Sequence, residues 1–329
     1  MRIVLNDPPS FASFSAVGGK CEALGPLGHM LDYADQSNRF GQSTWERSEA
    51  KMQDLALSIA MRKGNFCDSD VELLFAGDLI NQCTSSGYGL VDYLIPYIGI
   101  YGACSTAALG LSLCSVFLDR SDVKRCAAVT SSHFCSAERQ FRYPLEYGSL
   151  RTPTSQHTVT GSAAFILDHS KNTPRITEVC FGKSVDLGIN DANNMGAAMA
   201  PAAADTFIDY FSSSGLCPDD FDLIVSGDLG YEGYLILREI MEEKGCPMGS
   251  NYDDCGLMIY DRDAQKMDSG GSGCACSALV LATHILPFMK QGRYKNVLFM
   301  GTGALLSQAS VQQGQTIPAI AHIIRIENA

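Results

Sequence analysis

The sequence predicts a layered α/β fold in which two duplicated strand–helix–strand halves stack as α/β/α/β/α. Three observations carry this. Residues 71–82 (VELLFAGDLINQ) and 221–232 (FDLIVSGDLGYE) are short apolar runs closed by Gly-Asp-Leu, with Asp78 and Asp228 in matching places. Residues 103–118 (ACSTAALGLSLCSVFL) and 275–290 (ACSALVLATHILPFMK) both open on Ala-Cys-Ser and continue in small and apolar residues. Each is followed by a basic residue and another apolar run, KRCAAVTSSH from Lys124 and KNVLFMGTGA from Lys295, at offsets of 21 and 20 residues. Two motifs recurring in one order at nearly one spacing mark an internal repeat.

Taken in order, the apolar runs before Asp78 and Asp228 are unbroken, as expected of strands buried on both faces. The Ala-Cys-Ser segments are apolar around most of a helical projection, which predicts buried central helices. Residues 44–63, 202–214 and 232–244 carry helical periodicity. Strands alternating with helices imply βαβ units and a mostly parallel sheet. The halves divide at 1–170 and 171–329. Stretches 140–165 and 181–200 leave the regular pattern and are expected as loops that cap a site, and the second half carries an insertion around residues 252–271.

Composition narrows the function class. Hydrophobic residues make up 46% and charged residues 18%, enough to bury a large core and too apolar for a disordered chain. A net charge of −12 opposes a nucleic-acid partner. Thirteen cysteines include no CxxC pair, only Cys274-Ala-Cys276, so no zinc ribbon is expected. They read as small buried residues in a reducing compartment. Residues 1–10 lack the apolar run of a signal peptide, and no stretch of about 18 apolar residues predicts a membrane span. The Gly-rich run 270–278 lacks the Lys-Ser/Thr ending of a phosphate loop, and no cofactor is expected.

Cys104 is the first candidate site residue. At a strand-to-helix turn the helix dipole favours its thiolate. Gly-Ala-Cys-Ser opening a buried helix in a duplicated chain resembles the thiolase and ketoacyl-synthase superfamily, and GTGALLS (301–307) resembles the glycine-rich loop closing those active sites. Beyond this, GPLGH (25–29), GDLINQ (77–82), FCSAERQFRYPLEYG (134–148), TVTGSAA (158–164), DLGI (186–189), MAPAAADT (199–206), DCGLMIY (254–260) and GGSGCACSA (270–278) resemble the stage V sporulation protein AD family. The resemblance covers essentially the whole chain. It implies a thiolase-like fold, binding of dipicolinic acid (pyridine-2,6-dicarboxylate) with or without calcium, and work beside the membrane-embedded SpoVA proteins. It also implies a peripheral location on the cytoplasmic side of the forespore inner membrane. Relatives of the fold are commonly dimers, so a homodimer is a further expectation.

Condensing chemistry in that superfamily needs a histidine after the strand 223–226 and a histidine or asparagine in the second loop. This chain has Ser226-Gly227-Asp228 and Gly271-Ser272-Gly273 there. Neither offers an imidazole or an amide, so the expectation is a binding protein and not an enzyme. The candidate ligand contacts are Cys104, Ser105, His133, Arg142, Asp254, Cys255 and Ser272. Asp254 is expected to face a ligand group or a cation, while Arg139, Arg142 and Arg151 offer charge against a dianion. His133 follows the strand 126–130 and supplies the alternative, a Cys104–His133 acyltransferase or thioesterase. A scaffold for membrane partners with a relic pocket is a third reading.

Overall fold

The computed structural model describes residues 1–141 and 151–328, without the side chains of 139–141. The first half contains β1 (Arg2–Val4), β2 (Ser10–Gly18), α1 (Lys20–Leu24), β3 (Tyr33–Ala34), α2 (Trp45–Gly64), β4 (Leu73–Gly77), α3 (Thr84–Gly89), β5 (Tyr97–Gly99), α4 (Thr106–Arg120), β6 (Arg125–Ser132), α5 (Phe134–Phe141), β7 (His157–Thr158) and β8 (Gly161–Asp168). The second contains β9 (Arg175–Phe181), α6 (Met195–Ser214), β10 (Leu223–Ser226), α7 (Gly230–Glu243), β11 (Tyr252–Asp254), α8 (Cys255–Met258), α9 (Arg262–Gln265), β12 (Gly271–Ser272), α10 (Cys274–Val280), α11 (Leu286–Lys290), β13 (Asn296–Ala304), α12 (Gln308–Gln312) and β14 (Ala319–Glu327).

The strand order β11-β10-β13-β14-β9 continues into β2-β8-β6-β4-β5, the two groups meeting where Ser10 lies opposite Arg175. Each group has three parallel strands (β5-β4-β6 and β11-β10-β13) followed by two antiparallel additions. Three apolar clusters define the layers. Met52 and Leu57 of α2 pack on Leu74 and Val129 outside one sheet. Leu111 of α4 and Leu279 of α10 fill the space between the sheets with Phe75 and Phe299. Phe207 of α6 and Leu237 of α7 cover Ile224 and Met300 outside the other. The result is the five-layer thiolase-like α/β fold. Among the described residues no helix is long and apolar enough to cross a membrane.

The duplication runs deeper than the matched strings. Before β4, Asp70 Oδ2 accepts from the Cys67 backbone N–H at 2.8 Å and from its Sγ at 3.0 Å; before β10, Asp220 does the same for Cys217 at 2.8 and 3.3 Å. Glu72 accepts from Lys124 N, and Asp222 from Lys295 N, tying each strand to its neighbour.

Two stretches expected as loops are partly regular. Residues 161–168 form β8 and are buried throughout, so no alternation betrays the strand. Helix α6 starts at Met195, seven residues before the expected 202, with Asn194 Oδ1 capping Ala197 N at 3.3 Å and Pro201 inside the helix. A proline there reads as a breaker, because it removes a donor and clashes with the preceding turn. The helix expected over 275–290 is interrupted by a π turn at Leu281–Ile285.

Candidate functional site

Cys104 lies in the turn between β5 and α4. Ala103 before it is held at φ +47°, a left-handed conformation that costs an L-residue roughly 1 kcal/mol or more. Side-chain bonds hold the turn there: Ser105 Oγ donates to Gly102 O and Thr106 Oγ1 to Ala103 O, both at 2.6 Å. The end of β13 presses on the same turn. A Cβ at Gly303 would lie 2.5 Å from Gly102 O, and one at Gly301 2.8 Å from Ala108 Cβ. The glycines of Gly-Thr-Gly are thus required by this close approach.

Three further elements converge on the thiol. Ser272 Oγ, at the end of β12, is 3.7 Å from Cys104 Sγ and donates to Asp228 Oδ2 at 2.8 Å. Asp228 Oδ2 also accepts from Gly273 N at 2.9 Å, while Oδ1 accepts from Thr302 Oγ1 at 2.8 Å. Thr302 Oγ1 in turn accepts from Asp228 N at 3.0 Å. Asp228 thus sits behind Ser272, just after β10, and bonds to β12 and β13 residues together. Burial pushes its carboxyl up to about 6 against the pull of the Cys104 thiol first and then of these donors.

The thiolate expected from the helix dipole is overturned. Burial first, then the Asp228 charge, hold the Cys104 thiol well above its ordinary range. A screened half-charge at a helix end cannot offset full desolvation beside a carboxylate.

A cavity of about 20 Å³ adjoins Cys104 and Ser272, room for about one water. Thr158 adds a third polar group, and Leu79, Tyr101, Met195 and Leu306 form apolar walls. No histidine lines it among the described residues. An open groove of about 630 Å³ elsewhere, along α2 and α3, mixes Glu46, Arg47, Lys51 and Asp54 and shares no residue with this cavity. The smaller space is the candidate site, because it adjoins Cys104 and Ser272, two of the residues the sequence singles out.

Of the expected contacts, the fold brings together Cys104 and Ser272. Ser105 is spent on Gly102. His133 is buried, with Nδ1 accepting from Cys135 N at 3.1 Å; its proton is therefore on Nε2, which donates to Asn38 O at 2.9 Å. Both ring nitrogens are committed, and the ring packs on Trp45 with centroids 5.2 Å apart, so it does not line the cavity beside Cys104.

Asp254 is corrected from ligand contact to structural cap. It is fully buried, and its oxygens accept from Ser226 Oγ (2.6 Å), Leu229 N (2.8 Å), Gly230 N and Gly256 N (both 3.0 Å). Four donors leave it no face for a ligand or cation. Burial pushes this acid up to about 7. Cys255 beside it is buried in the first turn of α8 and held as a thiol by burial. Arg142 and the Arg139 side chain lie outside the described residues. Arg151 is engaged by Glu138 (4.0 Å), Asp268 (3.5 Å) and the Gln156 carbonyl.

Asp228, Thr302 and the apolar walls were absent from the expected set. The repeated Gly-Asp-Leu and the Gly-Thr-Gly strand end were the available signals for the first two.

The chain matches the family model described as stage V sporulation protein AD (SpoVAD) over residues 1–327. It is 42% identical over 326 residues to stage V sporulation protein AD of Bacillus subtilis (strain 168), covering 99% of this chain and 96% of that one. Among solved structures it resembles OleA of Xanthomonas campestris, at TM-score 0.62, 14% identity and 99% coverage of both chains. It also resembles 3-oxoacyl-[acyl-carrier-protein] synthase III of Aquifex aeolicus, at TM-score 0.58, 12% identity and coverage of 97% and 99%. Identities this low establish the fold alone. The family model and the curated relative both run nearly the full length, and on that ground the chain belongs to the stage V sporulation protein AD family.

Proposed function

We propose that, within the sporulation role its family carries, this protein is a non-catalytic receptor for dipicolinate or its calcium chelate in spore dipicolinate import. The observation that supports the reading best is the Cys104–Ser272–Asp228–Thr302 cluster. It keeps a cysteine at the nucleophile position but surrounds it with hydroxyls and an acid instead of imidazole. A thiol held protonated beside a carboxylate is a poor nucleophile, whereas a thiol and hydroxyls under apolar walls suit a planar ring bearing polar groups. The cavity as it stands takes a water-sized occupant, so binding requires the Met195, Leu306 and Tyr101 side chains to turn outward. Work beside SpoVA membrane proteins would be through protein contact, as a homodimer joined at the β5 edge.

Calorimetric titration of the full chain with dipicolinate, with and without Ca²⁺, tests the reading. Saturable binding is expected, weakened at least about tenfold by Cys104→Ala or Ser272→Ala, a loss of ~1.4 kcal/mol. No binding under either condition, or binding indifferent to both substitutions, would remove this site from the account.

A further inference from the structure

The Asp228 carboxylate does not line the cavity; it sits behind Ser272 and the Cys104 thiol, which do. A serine hydroxyl has one proton, and Ser272 spends its proton on Asp228 Oδ2 at 2.8 Å. An anionic ligand group arriving beside Cys104 would therefore meet the lone pairs of Ser272, backed by a like charge. Adding one proton at Asp228 Oδ2 reverses the bond. The acid then donates to Ser272 Oγ, and the Ser272 proton swings into the cavity toward the ligand. Gly273 N, Thr302 Oγ1 and the Cys104 thiol remain as partners on the acid throughout.

The surroundings favour this over rejection of the anion. The titratable groups facing Asp228 are Cys104 from the α4 turn, Asp254 and Cys255 from the β11–α8 junction, and Cys276 from α10. From β13 comes the neutral Thr302 hydroxyl. The three cysteines are held as thiols by burial, and Asp254, raised to about 7, commits its oxygens to four donors away from the cavity. Asp228 is thus the acid whose proton changes what the cavity presents, and burial already raises it to about 6.

Resting on the reading above that a dicarboxylate binds beside Cys104, we infer that binding takes up one proton at Asp228 and that Ser272 relays it as the hydrogen bond to the ligand. The free carboxylate is then an off state, and affinity for the anion falls as pH rises. One proton per ligand makes dissociation about tenfold easier per pH unit above neutrality.

The test is titration of the unaltered chain with calcium-free dipicolinate near neutral pH, in buffers of low and high ionisation heat, repeated on Asp228→Asn and Ser272→Ala. The expected result is a buffer-dependent enthalpy matching uptake of about one proton, lost in Asp228→Asn, which has no titrating group at this position and whose affinity becomes flat with pH. Ser272→Ala weakens binding and loses the steep pH slope. Binding with no buffer dependence in the unaltered chain overturns the inference while leaving the binding reading intact. Uptake that persists in Asp228→Asn overturns the assignment to this residue. Absence of any binding removes both.

Discussion

Single residues decide the charge state of this interior. Glu49 on α2 is fully buried, with Oε1 accepting from Ser131 Oγ at 3.0 Å and Oε2 2.5 Å from Ser136 Oγ. Ser136 Oγ also lies 3.1 Å from His133 O, a group that can only accept. The one Ser136 proton goes to Glu49, the shorter of the two contacts, so both serines donate to the acid. Burial, then repulsion from Asp78, push Glu49 up to about 8 from an ordinary 4.5. An acid raised on folding stabilises the native state most fully below its unfolded value, and that contribution is lost as pH rises through the folded one. Stability is therefore expected to fall between about pH 4.5 and 8, with Asp228 and Asp254 acting in the same direction. Glu49→Gln keeps both serine bonds without the charge. Thermal or denaturant unfolding across this range should show a flatter profile for the variant, removing ~2–4 kcal/mol of the decline. A variant with the original slope would place the proton elsewhere.

Among elements, the β10–α7 and β11–α8 junctions are held by one side chain. Asp254→Ala strands the N–H groups of Leu229, Gly230 and Gly256 in a buried site. Each orphaned donor costs ~1–3 kcal/mol, so unfolding should register a loss of at least ~3 kcal/mol. Any loss of ligand binding in that variant should track loss of fold; a stable variant with weakened binding would return Asp254 to the ligand's surroundings. This contrast also locates what the sequence made legible. Repeated apolar runs and Ala-Cys-Ser openings placed β4, β10, α4 and α10, because buried parallel strands and central helices have few alternative compositions. Cys104 and Ser272 were legible because motif and topology coincide. Asp254 was misplaced because a turn-like Asn-Tyr-Asp-Asp does not reveal whether its carboxylate turns outward or caps a buried junction. His133 was misplaced for a similar reason: a histidine after a strand is visible in sequence, whereas the Asn38 carbonyl that fixes its ring comes from 95 residues away. Asp228 was seen only as a missing histidine, since its role depends on Ser272 and Thr302 arriving from separate elements.

At the scale of the whole molecule the two ends of the sheet differ. The β11 end is closed, with Tyr252 at 3% and Asp254 fully buried. Among the described residues no further strand pairs with the β5 end: Tyr97 is 41% and Ile98 39% exposed, and the nearby Leu94 and Tyr88 reach 90% and 77%. An unpaired edge strand flanked by apolar side chains is a template for another strand. A twofold axis lets identical edges satisfy one another, β5 running antiparallel to its copy and joining the sheets of two molecules. Sedimentation velocity is expected to show a dimer for the native chain and a folded monomer for Ile98→Lys combined with Leu94→Asp. A native monomer would leave the edge for a partner of another kind. The cavity adds a second readout, because Tyr101 follows β5 and walls the Cys104 site while remaining 46% exposed. Pairing at β5 would restrict the ring's outward turn, so the folded monomer should admit dipicolinate faster than the dimer. Equal association rates in the two forms would separate assembly from access to the site.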